Sequence, residues 1–290
     1  MSPIVAIRQN SFDAAQTEQS VLCVEVGKDH LRFAYLDSQK RLAWLEDFSF
    51  PSLLTERSLA DNLPAIFQDH PVLSAGPWQQ VLITVNSPAF TLIPASLFRK
   101  EYATSYMTLM RGSALPPHEY AHFFEHVPDG FTSVFNVEHR LANYLAGVYP
   151  LQNTTFVHQT SALITASAAV EKRLVSTQNL LLYFEDEFVT TILRSNHALR
   201  YCNRFGFKNP QDLTYYILYV LEELRLEPYS VNILLYGEIT PFADSYRHLS
   251  EFLPHMMFGQ TPTGIHFNGD FDDLPEHRYL SLYGLTLLSE

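Results

Sequence analysis

Ser20-Val-Leu-Cys-Val-Glu-Val26, Gly27-Lys-Asp-His30 and Leu31-Arg-Phe-Ala-Tyr-Leu-Asp37 decide the reading of this chain. The first and third segments alternate and are rich in β-branched and aromatic residues, as strands are, and the middle one reads as a tight turn. Ser38-Gln-Lys40 is a second turn and Arg41 to Phe50 a third strand. The same grammar returns at Asn179-Leu-Leu-Leu-Tyr-Phe184, Phe188-Val-Thr-Thr-Ile-Leu193 and Ala198-Leu-Arg-Tyr-Cys-Asn203, with an offset of 158 residues at the first and second strands. A three-stranded meander that occurs twice predicts two similar units.

Working outward, each meander is followed by alternating helices and apolar runs. After the first, Thr55 to His70 carries a helical pattern weakened by Pro64, and Gln80 to Val85 reads as a buried parallel strand. After the second, Asn209-Pro210 opens a helix with Leu213, Ile217, Val220, Leu221 and Leu224 on one face. Val231 to Tyr236 is its buried strand, residues 241–252 a helix leading to Met256-Met-Phe258, Ile265 to Phe267 a further strand and Pro275 to Leu288 a closing helix. Between the copies, Arg99 to Met110 is helical, Pro128-Asp-Gly130 turns a hairpin, Glu138 to Tyr149 is a helix, Thr154 to His158 a strand and Ser161 to Leu174 a helix. Residues 1–18 read as a polar lead-in. The expected fold is α/β: one unit over 1–176 with an insertion at about 90–150, a second over 177–290, each a meander continued by parallel strands and helices.

The formal charge of −12 argues against nucleic acid, whose backbone is held mostly by Lys and Arg. With 290 residues and 47% hydrophobic composition, the apolar supply suffices for substantial cores without staples. Cys23 and Cys202 lie inside apolar strands and read as buried thiols. The first ten residues lack an apolar stretch of signal-peptide length, and no run approaches the 18 apolar residues of a membrane span. These features lead us to expect a cytoplasmic, reduced protein with no membrane insertion.

Two meanders, each followed by alternating helices and parallel strands, resemble the actin-like ATPase fold of sugar kinases, actin and heat-shock chaperones, a ribonuclease-H-like architecture. Leu82-Ile-Thr-Val85 followed by Pro88-Ala-Phe90 is similar to a strand-end phrase of the chaperone branch. Over roughly residues 18–289 the chain further resembles an uncharacterised bacterial family, of the domain-of-unknown-function type, with a degenerate version of this fold. The resemblance implies an ATP cleft served by three features: an Asp and a Gly in each first hairpin turn, and a glycine pair after a later strand of the second unit. The Asp handles magnesium, the Gly admits phosphate to backbone N–H groups, and the pair makes room for adenosine.

At those positions this chain is only half matched. The first turn has Glu25, Gly27 and Lys28, an acid one methylene longer and no hydroxyl after the glycine. The second has Glu185-Asp186-Glu187 and no glycine. Three carboxylates would face a polyphosphate there, and two unit charges ~5 Å apart repel by about 3 kcal/mol at an effective dielectric near 20. The adenosine strand ends in Gly237 and a bulky Glu238. Glu25, Gly27, Lys28, Glu185, Asp186 and Gly237 are therefore vestigial cofactor positions. Catalytic residues, a bound cofactor and a metal are not expected.

His118-Glu119-Tyr120-Ala121-His122 matches the H-E-x-x-H signature of zinc proteases, whose chemistry needs a helix to aim both imidazoles at one metal. Pro116-Pro117 precede it and Tyr120 to Val127 alternates, so a strand is expected, on which residues four apart lie ~13 Å from one another. No other catalytic constellation is present in the sequence. Tyr215, Tyr216 and Tyr219 and the run His255 to Phe258 read as core at their spacing rather than as exposed interaction surface. The functional expectation is a non-catalytic binding or scaffold protein, with a protein partner or a second copy of itself. The alternatives are an atypical magnesium-nucleotide kinase or ATPase and, more remotely, a zinc hydrolase.

Overall fold

A computed structural model describes residues 2–8, 12–28, 30–50, 59–150, 152–185, 188–268 and 271–289. The chain divides into two compact units: Met1–Ala162 with Ile265–Phe271 and Leu285–Glu290, and Leu163–Gly264 with Asp272–Gly284.

In the first unit the elements are β1 (Val5–Arg8), β2 (Val21–Val26), β3 (His30–Leu36), β4 (Leu42–Ser49), α1 (Leu59–Asn62), α2 (Pro64–Phe67), β5 (Gln80–Val85), β6 (Phe90–Pro94), α3 (Ala103–Arg111), β7 (Glu119–His126), β8 (Phe131–Glu138), α4 (His139–Val148) and β9 (Thr154–His158). Next comes α5 (Gln159–Glu171), within which the division between units falls. The main sheet runs β1-β4-β3-β2-β5-β9. Its meander is antiparallel, and β2-β5 and β5-β9 are parallel. The insertion folds as its own antiparallel sheet, β6-β8-β7, with Met107 of α3 packed on Val134 and Ala89. The helix expected over 55–70 is broken at Pro64, and its residues 55–58 lie outside the described residues.

The lead-in is not featureless. Val5–Arg8 forms an antiparallel strand on β4, and Ala14–Gln19 a 3-10 turn capped by Asp13. Four alternating residues with Gln-Asn beyond them carry too short a signal to be read as a strand; the open edge of β4 supplies the missing backbone partners.

The second unit follows as β10 (Gln178–Phe184), β11 (Phe188–Ser195), β12 (Ala198–Gly206), α6 (Pro210–Glu223), β13 (Asn232–Gly237), α7 (Asp244–Ser250), β14 (Met256–Phe258) and α8 (Leu280–Thr286). Asn209 caps α6 through its side chain on the Asp212 N–H, with Pro210 in the first turn. The sheet order is β12-β11-β10-β13-β14, the same sequence of antiparallel and parallel neighbours as in β4-β3-β2-β5-β9. The expected fold of two similar units is thus observed. The last parallel strand is Met256–Phe258, not Ile265 to Phe267, where Phe267 makes a single bridge to Leu42. The closing helix is also shorter than its pattern, starting at Leu280.

In the meander of the first sheet, β2, β3 and β4 are buried on both faces, polar residues included. Glu25, Arg32 and Asp47 are direct cross-strand partners on β2, β3 and β4, and all three are buried. On the opposite face, buried Glu46 takes hydrogen bonds from Arg8, Trp44 and His70 at 2.6, 3.0 and 2.9 Å. Burial would raise the Glu46 carboxyl, but the bonds from His70 and Arg8 outweigh it and hold the group below the usual carboxylate range.

Candidate functional site

In open α/β sheets, ligands gather at the carboxyl ends of the parallel strands. In the first unit that end brings together the β2-β3 turn, the residues after β5 and the start of α5. The register sets Val26 beside Val85 and Val85 beside His158.

The turn closes by the Gly27 N–H donating to the His30 carbonyl at 2.9 Å. Pairs on either side of it then face each other, and Glu25 faces Arg32. The Glu25 Oε1 lies 3.3 Å from Arg32 Nη1 and 3.2 Å from His30 Nε2. Arg32 reaches on to Asp47, with Nε 3.2 Å from Oδ2. The acid that would serve magnesium is thus held inside a buried row of charges. His30 also occupies the face of Gly27: a β-carbon there would come within 2.4 Å of the imidazole Cε1. Gly27 is kept for a ring, on the side where a phosphate would need open backbone. Lys28 lies exposed in the turn.

Beside it, His158 is fully buried and caps α5. The Thr160 N–H donates to Nδ1 at 3.2 Å, which puts the imidazole proton on Nε2, 2.8 Å from the Ser87 carbonyl. The Ser87 hydroxyl meets Asn136 Oδ1, and the Asn136 amide donates to Glu119 Oε2 at 2.7 Å. These hydroxyl and amide groups bind one another. No local pattern marks His30, Asp47 or His158 as site residues. Arg32 is legible, because a turn closed by Gly27 and His30 puts Glu25 opposite Arg32.

In the second unit the turn closes in the same way, the Glu185 N–H donating to the Phe188 carbonyl at 2.9 Å. Glu185 and Phe188 stand 158 positions beyond Gly27 and His30. So Glu185 holds the position of Gly27, and the position of Glu25 belongs to Tyr183. That ring is fully buried, with its hydroxyl 2.9 Å from Ser281 Oγ. Glu185 itself is buried, and Asp186 lies outside the described residues. Gly237 has a φ of +82°, and a β-carbon there would meet the Phe184 carbonyl oxygen at 2.2 Å. Its N–H donates to the His277 carbonyl, and the Glu238 N–H to that of Phe184. The glycine serves a close approach between two strand ends.

The H-E-x-x-H residues lie on and beside β7, a strand as expected. His122 packs edge-on against Phe135, and burial pushes its imidazole pKa down. Among the described residues no group of three His, Cys, Asp or Glu could hold a metal ion. No helix of the described residues is long and apolar enough to cross a membrane.

Two sheets of this order define the class, the actin-like ATPase fold, and solved structures agree. A Bacteroides thetaiotaomicron protein with this fold and unknown function is 18% identical, with a TM-score of 0.79 over 96% of this chain and 99% of its own. A chain of the PilM–PilN type IV pilus biogenesis complex is 13% identical, with a TM-score of 0.66 over 92% and 98%. The ethanolamine utilization protein EutJ of Carboxydothermus hydrogenoformans is 8% identical, with a TM-score of 0.50 over 97% and 92%. The chain belongs to the DUF3822 family of proteins of unknown function, whose model matches residues 9–256. No curated protein matches it.

Proposed function

We propose that this chain is a non-catalytic binding or scaffold protein on an actin-like ATPase fold whose nucleotide contacts have been lost. The observation that carries the reading is the Glu25 carboxylate set between Arg32 and His30, with the His30 ring over Gly27. A carboxylate already neutralised by a buried guanidinium has little to gain from magnesium, and moving it would leave Arg32 buried without that neutralising charge. Tyr183, in the second unit, supports the same reading by standing where the matching acid would be. The class of partner, a protein, is taken from the likeness to a chain solved in a complex between PilM and PilN. The reading includes a reducing, cytoplasmic setting, which the two free cysteines Cys23 and Cys202 support.

Titration calorimetry and thermal shift with magnesium-ATP and magnesium-ADP test it. A ligand of the native state raises the unfolding midpoint by mass action. The expected result is no heat and no shift at millimolar nucleotide. Saturable binding that Glu25→Gln weakens would instead favour a kinase or ATPase working through Glu25, Glu185 and Asp186.

A further inference from the structure

The expectation that Tyr215, Tyr216 and Tyr219 are core is corrected by the structure: Tyr215 is 63% and Tyr219 46% exposed. Both lie on α6, stacked on each other with ring centres 6.1 Å apart. Tyr216 stacks on Phe205 of β12 at 5.2 Å, and Tyr201 and Phe205 continue the wall down to the strand. An aromatic face therefore borders β12, and among the described residues β12 is an edge, pairing with β11 alone.

The first unit treats the same edge differently. There β4 occupies the place of β12, and Val5–Arg8 covers it as an antiparallel strand. The residues 158 positions beyond Val5–Arg8 are Leu163 to Ala166, which belong to α5 and cannot act as a strand. Among the described residues, the second unit has no cover strand of its own at that place.

We propose that the groove between β12 and α6 takes up an extended segment of a partner protein as an added antiparallel strand. The Arg204 N–H donates to the Asn203 side chain rather than to β11, so the backbone of Cys202, Arg204 and Gly206 faces outward, and the N–H groups of Cys202 and Gly206 with the three carbonyls would hydrogen-bond the incoming chain. Strand geometry alternates the two faces of that segment. One face meets Tyr201, Phe205 and the α6 tyrosines, and takes apolar residues. The other meets Arg204, whose guanidinium lies 4.2 Å over the Phe188 ring, with exposed Arg200 at the bulge beside it. The Arg204 Nε donates to Thr190 Oγ1 at 3.2 Å, which leaves exposed Arg200 as the cation that draws acidic residues to that face. A second copy paired antiparallel about Cys202 would set Arg200 against Arg204, which disfavours self-pairing. Glu222 and Glu223, at the far end of α6, mark where the apolar wall stops. The proposal names a docking surface for the binding role above and rests on that reading.

The test is a pool of octapeptides with Glu or Asp at alternate positions and Val, Ile, Tyr or Phe between, titrated onto the full chain by fluorescence anisotropy. Saturable binding is expected, with hydrogen exchange slowed at Cys202 and Gly206. Lys in place of the acids should weaken it at least tenfold, and Tyr219→Ser about fivefold. N-methylation of alternate peptide amides should abolish it without touching the protein's fold. No binding at millimolar peptide, or equal binding of the N-methylated pool, overturns the groove and leaves the nucleotide result standing. A dimer in sedimentation that Tyr215→Ser dissolves overturns the choice of occupant in favour of a second copy. Nucleotide binding with peptide binding intact defeats the non-catalytic reading and keeps the groove.

Discussion

His30 lies over Gly27 so closely that a β-carbon on residue 27 would come within 2.4 Å of Cε1 and 2.7 Å of Nδ1. The φ of Gly27 does not demand glycine, so the ring alone excludes a side chain. Gly27→Ala should cost about 1–3 kcal/mol, the range of an overpacked site. His30→Ala in the same chain should return most of that loss, because the two sites share one contact. Urea unfolding of both single variants and the double variant measures the coupling, and simple additivity would show that the ring does not set the constraint.

Arg32 stands between Glu25 and Asp47 at 3.3 and 3.2 Å, with all three buried. Arg32→Ala leaves two buried carboxylates without this cation and should lose about 3–5 kcal/mol. Removing all three charges together, Glu25→Gln, Arg32→Met and Asp47→Asn, should lose much less than Arg32→Ala alone. Chemical denaturation of the two variants compares them directly. A triple variant no more stable than Arg32→Ala would show that the row contributes more than mutual neutralisation.

Gly237 and Gly130 both have positive φ, +82° and +72°. A β-carbon at Gly130 meets nothing within 4 Å, whereas at Gly237 it meets the Phe184 backbone oxygen at 2.2 Å. Gly130→Ala should therefore cost about 1 kcal/mol, the left-handed strain alone. Gly237→Ala should cost clearly more, since a backbone carbonyl cannot swing aside. The difference in urea midpoints checks the order; equal costs would mean that the strand ends part easily.

His126 is buried and stacked on Phe131 with ring centres 4.4 Å apart. Burial pushes its imidazole down to about 4, with Asp129 opposing. The unfolded chain takes up this proton near pH 6.5 and the folded chain only near pH 4. Stability from the neutral ring is then complete above about pH 6.5 and falls as pH drops toward 4, by up to about 3 kcal/mol. In His126→Phe that part of the pH dependence should vanish. Urea unfolding between pH 7 and pH 4.5 reads it, and identical slopes in the two proteins would assign the acid loss to other groups.

The sequence by itself determined the kinds of elements and their order. Alternation through 20–37 and 179–203 marks both meanders, Asn209-Pro210 marks the start of α6, and Pro128-Asp-Gly130 places the H-E-x-x-H residues in a hairpin. These are local signals, carried by period, caps and turns within a few residues. The tertiary structure alone decided what the polar and aromatic residues do. Val5–Arg8 becomes a strand because β4, some 40 residues on, offers it backbone partners. Met256–Phe258 becomes one because β13 lies alongside. Glu25 reads as a ligand until cross-strand register turns it toward Arg32, and the α6 tyrosines read as core until the sheet beneath them ends at β12. A side chain's chemistry is written in its residue, but its partners come from register and coverage, which depend on segments far apart in the chain.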